Sequence, residues 1–317
     1  MNLKKQRILV TGATGLVGIA LMNKLPQFNC DIIGVGNSRS SKVYRYDLTS
    51  QRDVSYLFER EQPTIVIHLA AKVGGIYANS NNKADFYLEN TLINTNVLRE
   101  VQERKIKYVF AMGTGCAYPK RLEGSELFEE DFLDGIPEST NDAYAYAKRN
   151  MFVHLKAMKE SNPDFNYHYC IPANLYGSND NFDPMNSHVV PALIRKFVDA
   201  EKSKLPTVEI WGNGNAKRDF IYIDDLINAM ICIIQSDKYF GSINVATNYS
   251  VKINTVAKTI KEIIKYKGEI IYNSSFPEGQ MSRQFNIRKI SDIGWKPEIN
   301  LVDGLMKTID WYKSHIK

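Results

Sequence analysis

Five consecutive residues, Arg7-Ile-Leu-Val-Thr11, form an apolar, β-branched run, and beyond them apolar residues at Leu16, Val17, Ala20, Leu21 and Leu25 recur at helical spacing. That pattern reads as strand, tight loop and helix. Further short apolar runs at residues 31–35, 64–70, 108–112 and 167–171 are separated by stretches long enough for helices. Such alternation predicts an α/β fold, a doubly wound parallel sheet wrapped by helices. Past Asn174 the chain turns to connections rich in Asn, Asp and Pro, among them residues 178–187. A helix over 226–234 and a strand near 242–246 are expected to rejoin the first sheet. The reading is therefore a first domain over 1–174, rejoined by about 217–247, and a smaller, discontinuous second domain over most of 175–317. No repeat, low-complexity tract or flexible linker separates them, so a cleft between the two is the expected place for chemistry.

Composition narrows the class. The 317 residues are 44% hydrophobic and 24% charged, which suits one large or two intimate globular domains. No apolar run approaches the roughly 18 residues of a membrane span, and Met1-Asn-Leu-Lys-Lys leads straight into a strand, so a cytoplasmic protein without a membrane partner is expected. Four cysteines, Cys30, Cys116, Cys170 and Cys232, lie far apart with no C-x-x-C pair, so neither a metal site nor a disulfide framework is indicated. Three of the four are expected as small core residues. The excess of 40 Lys+Arg over 35 Asp+Glu is small and scattered, which argues against a nucleic-acid partner.

Candidate chemistry begins in the first loop. Gly12-Ala13-Thr14-Gly15-Leu16-Val17-Gly18 joins the first strand to the first helix, where missing Cβ atoms let backbone N–H groups approach a pyrophosphate. This makes residues 1–174 a Rossmann dinucleotide-binding domain in expectation. The second strand ends Gly34-Val-Gly-Asn-Ser-Arg39-Ser-Ser-Lys42, with no acid for a ribose hydroxyl, whereas Arg39 suits a 2′-phosphate. NADP is favoured over NAD, a plain solvated loop being the alternative. Asp47-Leu48 places a carboxylate for the adenine amino group or caps the next helix, and Ala70-Ala71 ends a strand with side chains small enough for close approach.

Tyr144 and Lys148, four apart at the start of a helix, project from one face, and a cation beside a phenol lowers its pKa from about 10. Tyr146 points elsewhere. Thr114, in Gly113-Thr-Gly-Cys116-Ala-Tyr-Pro119, offers a hydroxyl to the carbonyl that Tyr144 protonates. His68, on an apolar strand, reads as a core residue, and Asp224-Asp225 as a helix cap. Trp211 and Arg218, within Trp211-Gly-Asn-Gly-Asn-Ala-Lys-Arg218-Asp-Phe220, offer a stacking face and a bidentate cation for a nucleoside diphosphate.

At these residues the chain resembles the extended short-chain dehydrogenase/reductases and, within them, the GDP-L-fucose synthases. Ala71-Lys-Val-Gly-Gly75, Gly113-Thr-Gly-Cys-Ala-Tyr-Pro-Lys120, Asn174-Leu-Tyr-Gly177 and Asn186-Ser-His-Val189 carry the likeness, which runs nearly end to end. It implies an NADP-dependent epimerase/reductase that converts GDP-4-keto-6-deoxy-D-mannose to GDP-L-fucose. Thr114, Tyr144 and Lys148 are the implied hydride-transfer triad, with Thr114 where most members have serine. Cys116 and His188 are the implied acid–base pair, which is sensible because a 4-keto group acidifies the C–H bonds on both flanking carbons.

Strand-end positions Met112, Gly113, Pro172, Asn174 and Leu175 complete the implied cofactor contacts. Asn174, Lys196, Trp211, Arg218, Glu278 and Arg283 are the implied substrate contacts, with Glu278 on the guanine and Arg218 on the diphosphate. A homodimer through helices near 86–101 and 145–159 is also implied. Two departures stand out: Thr14 replaces a basic residue common in the first loop, and Gly115 replaces a small hydroxyl residue, an exchange expected to widen the pocket beside Cys116. Alternatives are a related reductase or epimerase of another nucleotide-linked keto sugar, such as a GDP-6-deoxyheptose or GDP-dideoxyhexose, or a non-catalytic cofactor-binding protein. A 4,6-dehydratase is disfavoured because no Asp-Glu pair follows Thr114.

Overall fold

The computed structural model describes residues 1–36, 43–183, 186–236, 238–276 and 279–316. From the N-terminus, β1 (Arg7–Thr11), α1 (Leu16–Lys24), β2 (Asp31–Gly36), β3 (Val43–Arg45), α2 (Gln51–Glu61) and β4 (Ile65–His68) follow one another. Next come α3 (Ile76–Asn81), α4 (Lys83–Glu103), β5 (Tyr108–Met112), β6 (Glu126–Leu127), α5 (Asp142–Ser161), β7 (Asn166–Pro172) and β8 (Asn174–Tyr176). The remainder is α6 (Val189–Lys202), β9 (Thr207–Trp211), β10 (Lys217–Tyr222), α7 (Ile223–Gln235), β11 (Gly241–Val245), β12 (Ser250–Lys252), α8 (Ile253–Ile264), β13 (Glu269–Asn273), β14 (Gln284–Phe285), α9 (Arg288–Asp292) and α10 (Leu301–His315).

Seven strands form one sheet in the order β11-β7-β5-β4-β1-β2-β3, and every pairing in it is parallel. Parallel strands covered on both faces must be apolar throughout, and Ile8, Leu9, Val10, Val66, Ile67, Val109, Phe110 and Ala111 are all fully buried. Helices pack as α2 with α4, α4 along α5, and α1 against α7, which gives the doubly wound α/β architecture. From β1 the chain winds outward through β2 and β3, then returns to β4 on the other side. The carboxyl ends of β1 and β4 therefore diverge at a topological switch point, where such sheets hold their ligands.

The later chain contributes small sheets, β12-β10-β8 and β13-β9, packed with α6, α8 and α10. β14 runs back to pair with β6, Gln284 beside Glu126 and Phe285 beside Leu127, so the late segment is stitched to the loop after β5. Asp225 is not a helix cap. α7 starts earlier, at Ile223, and the Asp225 carboxylate instead accepts from the Glu298 N–H at 3.2 Å and the Ile299 N–H at 2.9 Å, tethering the approach to α10. Of the three cysteines expected in the core, Cys170 is buried while Cys30 and Cys232 are half-buried. Among the described residues no helix is long and apolar enough to cross a membrane, and no cluster of side chains is arranged to hold a metal ion.

Candidate active site

A cleft of about 1000 Å³ opens over the switch point and runs on between the sheet and the later segments. Its cofactor end is shaped by glycines. Gly12 has φ +73° and a Cβ there would lie 2.8 Å from the Ala70 nitrogen, while a Cβ on Gly18 would lie 2.1 Å from the Gly12 oxygen. At Gly15, the residue that opens α1, the nearest atom to a Cβ is the Gly12 oxygen at 3.5 Å, so the N-terminus of the helix is left bare to the cleft. Gly12, Thr14, Gly15, Leu16, Val17 and Gly18 line this end, but Ala13 does not: it is buried in the core and its N–H donates to the Val35 oxygen at 2.9 Å. The Thr14 side chain packs over Gly36, where a Cβ would meet its hydroxyl at 2.5 Å.

Asp47, Leu48, Ala70, Ala71, Met112, Gly113, Pro172, Asn174 and Leu175 also line the cleft. Asp47 is not the cap of α2. Its carboxylate accepts from the Thr49 N–H at 2.9 Å and hydroxyl at 2.7 Å, which hold it below the usual carboxylate range, and Ser50 caps the helix. Arg39 lies outside the described residues. Arg45, which closes β3 and lines the same end, is a cation that pattern reading passed over.

At the centre, Thr114, Cys116, Tyr144, Lys148 and His188 share the cleft wall. Lys148 is buried, donates to the Met112 carbonyl at 2.8 Å, and is pushed down to about 7 by burial. Its ammonium lies 5.9 Å from the centre of the Tyr144 ring, against which Phe86 packs edge-on. The Tyr144 phenol is raised above its ordinary pKa by burial and by the charge of Cys116, contrary to the lowering expected from a neighbouring cation. The lysine's ammonium is directed at a carbonyl, and desolvation governs the phenol.

Behind them, Thr11 accepts from the Leu69 and Ala70 N–H groups at 3.1 and 3.2 Å, so its own proton goes to His68 Nδ1 at 2.8 Å. His68 Nε2 then donates to Asn94 at 3.0 Å, and Asn94 donates to the Ala147 carbonyl at 3.2 Å. Burial and the Lys148 charge push His68 down to about 3, which keeps it a neutral strut joining β1, β4, α4 and α5.

The Cys116 thiol is pushed up by burial, but the guanidinium and hydrogen bond of Arg283, the Thr114 hydroxyl and the charge of Arg218 together bring it below its ordinary value. His188 occupies the N-cap position of α6 with no capping hydrogen bond from its side chain, and burial lowers the pKa of its imidazole. Gly115 does not widen the pocket. The space is filled by Phe285, whose ring would lie 2.5 Å from a Cβ at that position.

At the far end, Lys196 donates to the Glu209 carbonyl at 2.9 Å and lies 4.9 Å above the Trp211 ring. Trp211 stacks on Phe276 with centroids 4.2 Å apart. Arg218 and Arg283 are both buried in the wall, Arg218 donating to the Lys217 carbonyl at 2.8 Å. Asn174 donates to the Asp219 carbonyl at 2.9 Å. Glu278 lies outside the described residues. Pattern reading missed Asn79, Asp180 and Ser187, lining residues whose side chains each keep a buried oxygen without a hydrogen-bond partner. Asp180 sits in the stretch read only as irregular connection, where no periodicity marks which side chains turn inward, and Ser187 lies within the Asn186–Val189 segment, noted for its likeness and not as a site residue.

Residues 8–246 match the model of the NAD dependent epimerase/dehydratase family. A putative GDP-L-fucose synthase 2 of Arabidopsis thaliana is 37% identical over 99% of this chain and 93% of its own length. Among solved structures, a GDP-L-fucose synthetase from Naegleria fowleri bound to NADP has a TM-score of 0.88 at 26% identity, covering 98% of this chain and 95% of that one. A GDP-6-OMe-4-keto-L-xylo-heptose reductase from C. jejuni has a TM-score of 0.87 at 28% identity, covering 99% of each. With the family model matched over residues 8–246 and relatives alike over nearly the whole length of the chain, it belongs to the NAD dependent epimerase/dehydratase family and, within it, to the GDP-L-fucose synthase group.

Proposed function

We propose that this chain is an NADP-dependent 3,5-epimerase/4-reductase that converts GDP-4-keto-6-deoxy-D-mannose to GDP-L-fucose. One observation carries the reading: a bare helix N-terminus, a phenol with an ammonium beside it, and a thiol and an imidazole all line a single cleft. The cofactor end suits a dinucleotide, because the Gly12–Gly18 turn leaves the first turn of α1 open to a pyrophosphate and Arg45 supports a 2′-phosphate. When bound, NADPH supplies the hydride for the keto carbon. At the other end, Trp211 with Phe276 supports a base-stacking wall, and Lys196 and Arg218 support a diphosphate.

The residues divide the work. The Cys116 thiolate takes a proton from a carbon beside the keto group; the C–H bond breaks, an S–H bond forms, and the electron pair moves onto the carbonyl oxygen as an enolate. His188, with its basicity lowered, is a strong acid once protonated and returns a proton to the opposite face of that carbon. Tyr144, kept protonated by burial, then gives its proton to the 4-oxygen, and Lys148 stabilises the phenolate left behind.

The test is product analysis with NADPH and a panel of GDP-, dTDP- and UDP-4-keto sugars. Cys116→Ser is expected to abolish inversion while reduction of the un-inverted ketone persists, and Tyr144→Phe to slow reduction by about 10²–10⁴-fold. Full epimerisation by Cys116→Ser removes Cys116 from the mechanism. The reading extends to a homodimer, supported by exposed Tyr87, Leu88 and Leu92 on α4 and Val153 on α5. It also extends to a cytoplasmic enzyme, supported by four cysteines that form no disulfide.

A further inference from the structure

The sulfur of Cys116 is held from a distant part of the chain. Arg283, 167 residues later, donates through Nη1 to the sulfur at 3.3 Å. The arginine is 7% exposed, and its Nε donates to the side-chain oxygen of Gln280, itself 4% exposed. The backbone around it is pinned on both sides. Its carbonyl accepts from the Ser250 hydroxyl at 2.8 Å, and the Met281 carbonyl accepts from the Lys217 N–H at 2.7 Å. The Met281 N–H donates to Glu123, and Phe285 fills the space over Gly115, one residue from the thiol. Swinging the guanidinium away would break its hydrogen bonds to Gln280 and to the Cys116 sulfur.

A buried guanidinium calls for an anion, because an uncompensated charge out of water is costly. Among the described residues, the two side chains that Arg283 meets by hydrogen bond are a neutral amide and a thiol, and of these only the thiol can supply the negative charge. We infer that Arg283, braced by Gln280, is the positioning residue that keeps the Cys116 sulfur anionic and aimed into the cleft as the base for epimerisation. The inference rests on the epimerase reading above, and it moves Arg283 from the substrate contact expected from sequence to a partner of the thiol. The other groups facing the sulfur act in the same scheme: Arg218 adds a second positive charge, the Thr114 hydroxyl adds a hydrogen bond, and Tyr144 feels the negative charge that results.

The pH dependence of iodoacetamide alkylation of the full-length protein tests this without any sugar, with modification of the Cys116 peptide followed by mass spectrometry apart from Cys30, Cys170 and Cys232. Wild type is expected to react with a midpoint below the ordinary thiol pKa of about 8.5. In Arg283→Met the midpoint should rise by about one unit or more, and the rate at pH 7 should fall about tenfold, with partial recovery in Arg283→Lys. Should Arg283→Met fail to fold, Gln280→Leu, which frees the guanidinium, should raise the midpoint in the same direction. Identical midpoints in wild type and the folded variants overturn the proposal. Deuterium uptake from solvent at carbons 3 and 5 is read separately: a shifted midpoint with no uptake in wild type overturns the epimerase reading and leaves the pairing of Arg283 with Cys116 standing.

Discussion

Asp180 illustrates what a single residue does in this cleft. Its Oδ1 accepts from the Asn181 N–H at 2.8 Å, its Oδ2 is buried without a partner, and burial pushes the carboxyl up to about 7. An acid whose folded pKa lies above its unfolded value of about 3.9 keeps its proton in the native state after the unfolded chain has lost it. The stability it contributes is therefore present below about pH 4 and is lost as pH rises through about 7. Asp180→Asn should remove that slope, raising stability by about 1–3 kcal/mol at pH 8 with little change at pH 4, as read from urea midpoints. Equal midpoints for both proteins at pH 8 would rule out a desolvated carboxylate. Tyr144 and Lys148 were legible in the sequence because four-residue spacing on a helix is a local fact. The meeting of Arg283 with Cys116 was not, since contacts across 167 residues leave no trace in local pattern.

Among the elements, the first strand and the first helix read correctly from periodicity and the turn between them from its glycines, and the buried strands of the large sheet read correctly from their short apolar runs. Two-residue pairs such as β6 with β14 did not, because a period of two needs more than two residues to declare itself. The glycine turn itself supports a paired prediction. A methyl on Gly18 meets backbone at 2.1 Å and 2.6 Å, so Gly18→Ala should destabilise the fold by about 3 kcal/mol and weaken NADPH binding at least tenfold. Gly15 has negative φ and a Cβ there would meet only an ordinary contact, the Gly12 oxygen at 3.5 Å, so Gly15→Ala should cost under about 1 kcal/mol yet still weaken NADPH binding by filling the proposed pyrophosphate seat. Thermal melts and cofactor fluorescence titrations separate the two, and equal melting points would refute the distinction.

For the whole molecule, alternation of strand and helix foretold the parallel sheet, while strand order became visible only once the chain was seen to double back between β3 and β4. The exposed apolar side chains on α4 and α5 carry the prediction at this scale. Leu88, 57% exposed, lies on α4 with Tyr87 and Leu92 nearby, and Leu88→Glu should convert a dimer into monomer by light scattering. Wild type at monomer mass across the micromolar range would sink the dimer. The pairing of β14 with β6 bears on the order in which the protein is made. The glycine turn leaves the ribosome long before the arginine that meets the sulfur. A nascent or C-terminally truncated chain would thus acquire a nucleotide pocket before it acquires its proton-transfer chemistry.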